Sequence, residues 1–136
     1  MVTPTKPLPF FRDSEGTPVD RADRFGLSLK QGWEQPPKGQ TLTLFQPDLN
    51  LPNVPKSLPF PSDGDLRWRP FVSGPNKKYV PLLRLRDDTG KELGDAVAYG
   101  EPNAGGRVLS VWFRLLEDPD ADVLLHDVFA VAAGQN

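Results

Sequence analysis

A serine, a histidine and a carboxylate together can make a nucleophile. Ser110, His126 and Asp127 supply these three types in the second half of the sequence, and His126 is the single histidine. Such a nucleophile needs a sharp turn that exposes the hydroxyl and an imidazole that takes its proton. Ser110 instead sits between Leu109 and Val111 in a plain apolar alternation, without a Gly-x-Ser-x-Gly elbow. No catalytic residue is assigned.

Asp118-Pro119-Asp120-Ala121-Asp122 places acids at the first, third and fifth positions of an EF-hand-like loop. The sixth position is Val123 where glycine must turn the chain, and the twelfth is Phe129 where a bidentate glutamate must close the site. The run therefore reads as an acidic turn. The glycine-bearing stretch from Gly100 to Gly106 lacks the Lys-Ser/Thr of a phosphate loop and reads as a hairpin loop. With no cysteine and one histidine, the chain has no thiol nucleophile, disulfide framework or multi-histidine metal centre. The expectation is no cofactor and no metal. Eighteen acidic residues keep a small carboxylate-dependent enzyme open as an alternative.

Charge is the more informative feature. Residues 67–91 carry seven basic side chains against two acidic ones, and residues 92–127 carry two against eight. The basic block is interleaved with aromatic residues. Arg67, Trp68, Arg69, Tyr79, Arg84 and Arg86, extended by Trp112 and Arg114 on the next strand, are expected to form one partner-binding face. Arginine and tryptophan dominate protein interfaces. Cations and rings on an open sheet also suit single-stranded nucleic acid. The net charge of −2 gives no global pull toward phosphate.

These residues need a scaffold, and proline limits what it can be. Sixteen prolines and twelve glycines in 136 residues exclude a long helix, because proline removes a helical donor and clashes with the preceding turn. Eleven of the prolines fall in residues 1–61. That half is read as Pro-rich extended segments around a strand pair at about 25–46, with Leu42 and Leu44 facing one side. Lys6-Pro7-Leu8-Pro9-Phe10 nearly repeats as Lys56-Ser57-Leu58-Pro59-Phe60. Leu8, Phe10, Leu58 and Phe60 are the candidate anchors of two such arms.

Residues 62–136 read as an antiparallel β domain. Strands are expected at 66–72, 78–86, 93–99 and 107–116, with turns such as Asp87-Asp88-Thr89-Gly90 between them. Tyr79, Pro81, Leu83 and Leu85 should share a face. Pro81 cannot donate to a ladder, so its strand lies at an edge or carries a bulge. Residues 123–132 can be a last strand or a short helix, and their β-branched residues favour strand.

The expected fold is mainly β, a small antiparallel barrel or sandwich with Pro-rich extended N-terminal arms and little helix. No apolar run is long enough for a membrane helix, and no secretory signal pattern is present. The expected function is a non-enzymatic accessory or regulatory factor, an adaptor or inhibitor of a larger protein, in the cytoplasm. A single-stranded nucleic-acid-binding barrel is the alternative.

Overall fold

The computed structural model describes residues 2–4, 11–12, 14–19, 26–30, 41–47, 51–54, 56–61, 70–73, 78–117 and 121–134. Its strands are β1 (Val2–Pro4), β2 (Phe11–Arg12), β3 (Pro18–Val19), β4 (Leu27–Leu29), β5 (Thr41–Phe45), β6 (Ser57–Pro61), β7 (Phe71–Ser73), β8 (Lys78–Arg86), β9 (Glu92–Glu101) and β10 (Val108–Val111). A 3-10 turn at Phe113–Glu117 leads to a helix, α1 (Ala121–Ala132). Eight strands join in one sheet along the path β1-β10-β9-β8-β5-β6, with β7 branching from β9 and carrying β4; β2 and β3 form a separate pair. All pairings in the large sheet are antiparallel except β1 with β10.

The mainly β expectation holds, and the barrel does not: the sheet stays open. Its β6 edge shows why. Gln46 donates its N–H to the Lys56 carbonyl, and Leu58 and Phe60 stand opposite Leu44 and Leu42. Alternate residues of a strand bond to the same side. Positions 59 and 61 therefore point their nitrogens at the outer edge, and both are proline. A strand arriving there to close a barrel would find only the Ser57 N–H as a backbone donor.

The strands at 27–29 and 41–45 are both formed, but they are not partners. β4 pairs with β7, while β5 lies between β6 and β8. Leu42 and Leu44 are buried together as the alternation indicates.

The strand expected at 107–116 stops at Val111. Trp112 still donates its N–H to the Ala96 carbonyl, and Leu115 then donates back to the Trp112 carbonyl as the chain turns. The segment at 121–132 is a helix, against the reading that favoured strand. Leu124, Leu125 and Val128 are buried at helical spacing, and Ala121, Ala130 and Ala132 add helix-forming weight that offsets the β-branched valines.

One core lies between the sheet and its cover. Leu42, Leu44, Leu83, Leu85, Val97 and Val111 supply sheet side chains, and Leu124, Leu125 and Val128 of α1 and Leu51 and Val54 of the 51–54 loop cover them. Two polar devices hold the cover. Gln46 accepts from the Leu51 N–H and donates to the Val54 carbonyl, which shapes the loop. Asp127 of α1, 4% exposed, accepts the Asn53 N–H at 2.6 Å and the Asn53 side-chain amide at 2.7 Å. The end of α1 is held by Arg107, which donates to the Val131 and Ala132 carbonyls.

Two outcomes test this packing. Gly94 has φ +126 and faces Pro70, whose ring atoms would overlap any Cβ. Gly94→Ala is expected to lower unfolding stability by about 3 kcal/mol in urea melts, from overpacking and strain together. Gly90→Ala, with φ +87 and open space around it, is expected to cost only about 1 kcal/mol. The second outcome concerns Asp127. The Asn53 side-chain and backbone donors hold its carboxyl below the usual range. A carboxyl with a lowered folded pKa contributes stability above the ordinary carboxylate pKa and loses it as pH falls through the folded value. The stability gap between the native chain and Asp127→Asn is therefore expected to be constant above about pH 5 and to shrink below about pH 4, read from denaturant midpoints across pH.

Candidate functional site

The β8–β9 hairpin carries three of the eight residues expected to form the binding face: Tyr79, Arg84 and Arg86. Its turn is made by Asp87, whose Oδ1 accepts from the N–H and hydroxyl of Thr89 and the N–H of Lys91. Beyond the turn the two strands cannot pair by simple alternation. Each must bury adjacent apolar residues, Leu82-Leu83 on β8 and Ala96-Val97 on β9.

The register resolves this with bulges. Shifts fall between Pro81 and Leu83, between Leu83 and Arg84, and between Leu85 and Arg86. Leu82 on β8, and Ala96 and Leu93 on β9, are the residues left without an opposite partner. A bulge puts two consecutive residues against one and re-aims the side chains that follow. Leu82, Leu83, Leu85, Leu93, Ala96 and Val97 consequently all reach the main core.

The outer face receives what is left. One row of paired positions crosses five strands: Phe45 on β5, Arg84 on β8, Asp95 on β9, Phe71 on β7 and Leu29 on β4. Asp95 is its centre and is 5% exposed. Its Oδ1 accepts from Arg84 Nε at 2.6 Å, and its Oδ2 accepts from the Tyr79 hydroxyl at 2.6 Å. Arg84 also donates Nη1 to Glu92 at 2.8 Å. Beside the row, the Arg86 guanidinium lies 5.0 Å from the centre of the Phe45 ring, a cation–π distance. An open groove of about 330 Å³ runs along the row, with Lys30, Pro70, Tyr79, Arg84, Glu92 and Asp95 among its walls.

This geometry sets the protonation states. Burial, and then the hydrogen bond to the Asp95 carboxylate, drive the Tyr79 phenol well above its ordinary range. The Arg84 guanidinium is pushed up as well, first by its hydrogen bond to Asp95. The cluster is thus a neutral phenol, a fixed cation and two carboxylates that share that cation. Tyr79 cannot supply a phenolate nucleophile here, and Arg84 is anchored rather than swinging.

The two charge blocks also take on a different meaning in space. Arg84 meets Asp95 and Glu92, Lys78 meets Glu101 at 3.3 Å, and Arg107 meets Glu101 at 3.0 Å. Basic β8 and acidic β9 are hairpin neighbours, so opposite blocks in sequence become cross-strand pairs.

The residues expected to form one binding face separate in the structure. Tyr79, Arg84 and Arg86 share the outer face. Trp112, expected to share it, is 1% exposed and lies in the core, because the chain turns after Val111 instead of continuing the alternation. Arg114 sits half-buried on the 3-10 turn. Arg67, Trp68 and Arg69 lie outside the described residues. Tyr79 and Pro81 do not share a face with Leu83 and Leu85, since the bulge at Leu82 intervenes; Tyr79 packs with Leu27, Leu29, Phe71 and Ala98 instead. Of the arm anchors, Leu58 is half-buried against the core, Phe60 is paired in β6, and Leu8 and Phe10 lie outside the described residues. Ser110 and His126 are not joined: Ser110 is buried in β10, and His126, with a side chain 78% exposed, contacts Asp127 at 3.3 Å. Among the described residues no group of acidic residues and histidine could hold a metal.

Sequence reasoning missed Asp95, Glu92 and Phe45. Asp95 did carry a signal, being the one acid inside the apolar run from Leu93 to Tyr99. Counting back regularly from the Arg86–Glu92 pair places Arg84 opposite position 94, one residue short, because the Leu93 bulge is invisible to counting.

A titration tests the cluster. The chain has two tyrosines, so Tyr99→Phe leaves Tyr79 as the only phenol. Its ultraviolet difference absorbance is expected to show no phenolate until the protein unfolds in alkali. Ionisation near pH 10 with the fold intact would contradict the buried contact. The chain matches no family model, no curated protein and no solved structure, so its own geometry is what bears on its activity.

Proposed function

We propose that this chain is a non-enzymatic binding protein, an accessory or regulatory factor that docks a larger protein on the outer face of its sheet in the cytoplasm. One observation carries the reading: arginines and aromatics on this face are held in place before any partner arrives. Arg84 is fixed by Asp95 and Glu92, and Arg86 is stacked on Phe45. Arginine and aromatic side chains contribute most when their rotamer freedom is already lost. The row ends in half-buried Phe45 on one side and half-buried Leu29 on the other, with Phe71 buried beside Leu29 and the charges paired in the middle. A protein surface offers matching apolar and polar groups.

The nucleic-acid alternative draws less support. A phosphate track needs cations with charge to spare, and Arg84 and Lys78 are both spent on carboxylates. The carboxylate-enzyme alternative draws less support from the same pairing, since Glu92 and Asp95 are both engaged by the one Arg84 guanidinium.

The test is affinity capture from host extract with nuclease treatment, comparing native bait with Arg86→Ala and Phe45→Ala baits. A protein retained by native bait and reduced at least tenfold by both variants is the expected result. Single-stranded DNA binding at low salt, abolished by the same variants, would overturn the reading.

A further inference from the structure

The near-repeat in the sequence takes on a structural meaning at the β6 edge. Lys6-Pro7-Leu8-Pro9-Phe10 and Lys56-Ser57-Leu58-Pro59-Phe60 agree at four of five positions. The second copy runs along β5 as β6. The first lies outside the described residues.

The pairing on β5 shows what the motif does. Gln46 donates its N–H to the Lys56 carbonyl, which sets the phase of the ladder. Positions 56, 58 and 60 bond toward β5, and positions 57, 59 and 61 point away from it. Leu58 stands opposite Leu44 and Phe60 opposite Leu42, and Ser57 and Pro59 are exposed. Lysine, leucine and phenylalanine thus hold the ladder positions, and these are residues that both copies share. The one difference, Pro7 for Ser57, falls where the nitrogen points away from β5, so proline costs the ladder nothing there. It also narrows the unbound chain toward an extended form. Lys6–Phe10 therefore fits the β6 position in the same register, with both of its prolines on the outer side.

The β5 that it fits belongs to another molecule. β1 pairs the residues just before this segment with β10, at the other end of the sheet path from β6. Those edges are five strand spacings apart along the open sheet, about 24 Å. The two residue steps from Pro4 to Lys6 cover at most about 7 Å. Exchange of like segments between copies is a low-cost route to self-association.

We propose that the β6 position beside β5 is an exchangeable strand slot, and that Lys6–Phe10 of a second copy of this chain occupies it in place of Lys56–Phe60. The tethered β6 holds the slot at low concentration, because tethering acts as a local concentration of about millimolar. The exchanged form accumulates as the chain approaches that range.

Disulfide trapping tests it, since the chain has no cysteine of its own. Thr43 faces Pro59 in a pair without ladder bonds, the narrow kind whose Cα atoms lie about 4.5 Å apart and within disulfide reach. Pro9 is the counterpart of Pro59. Thr43→Cys chain is mixed with Pro9→Cys chain in a glutathione redox buffer. The expected product is a mixed disulfide of twice the 15.1 kDa chain mass. It should be at least tenfold more abundant than with Lys6→Cys chain, whose cysteine the register places opposite residue 46. An excess of a free peptide of residues 56–61 is expected to suppress it at least fivefold. A yield at position 9 no higher than at position 6 would overturn the proposal. So would a bond that the peptide leaves unchanged, or one that forms within a single chain carrying both cysteines and not between copies.

Discussion

Two adjacent strands that must each bury consecutive apolar residues cannot also alternate strictly. The β8–β9 hairpin meets that constraint with bulges at Leu82, Leu93 and Ala96, and much of the fold follows from it. The bulges at Leu82 and Ala96 turn the Leu82-Leu83 and Ala96-Val97 doublets inward, and Leu93 joins them in the core. Each bulge also re-aims the residues that follow, which puts Tyr79, Arg84 and Asp95 on one outer face. At Ala96 the far edge of β9 changes neighbours. Residues 97–100 pair with β10, Trp112 bonds the Ala96 carbonyl, and Asp95 then pairs with Phe71 of β7. The branch in the sheet and the grouping of the site thus share a cause.

Asp95 shows how such a face stays ordered. A buried carboxylate is costly unless its oxygens are filled and its charge is met. Here one oxygen takes a phenol and the other a guanidinium. Satisfying Asp95 immobilises Tyr79 and Arg84, and Arg84 in turn draws in Glu92. The paired charges leave this part of the outer face ordered and nearly neutral.

Much of the β character was readable from the sequence, and the reasons are local. The turn at Asp87–Gly90 follows from side-chain chemistry within the turn, and Pro81, lacking a donor, indicated an edge or a bulge, of which β8, an interior strand, carries the bulge. Leu42 and Leu44 were placed by period alone. What failed depended on partners distant in the chain. The 27–29 and 41–45 strands were found, yet their neighbours are β7, β6 and β8, which no local pattern names. Trp112 was placed outside by extending an alternation past the point where the chain turns. The helix at 121–132 was obscured by valines whose preference for strand gives way to packing on the core. The opposed charge blocks were legible as composition, but their meaning reversed once β8 and β9 lay side by side. A small barrel or sandwich was expected from the spacing of the strands, whereas Pro59 and Pro61 strip the β6 edge of two of its outward donors.

The account stands on Arg84 and Asp95 being true partners across the bulged hairpin. A double-mutant cycle measures that directly, with Arg84→Met, Asp95→Leu and the double variant unfolded in urea under the same conditions. Residues in contact within one polar network couple by about 0.5–3 kcal/mol. The account expects a coupling energy above about 1 kcal/mol, with the double variant more stable than the sum of the single losses implies. Additive losses, with coupling near zero, would mean that the pair is not formed and that the outer face is not organised around Asp95.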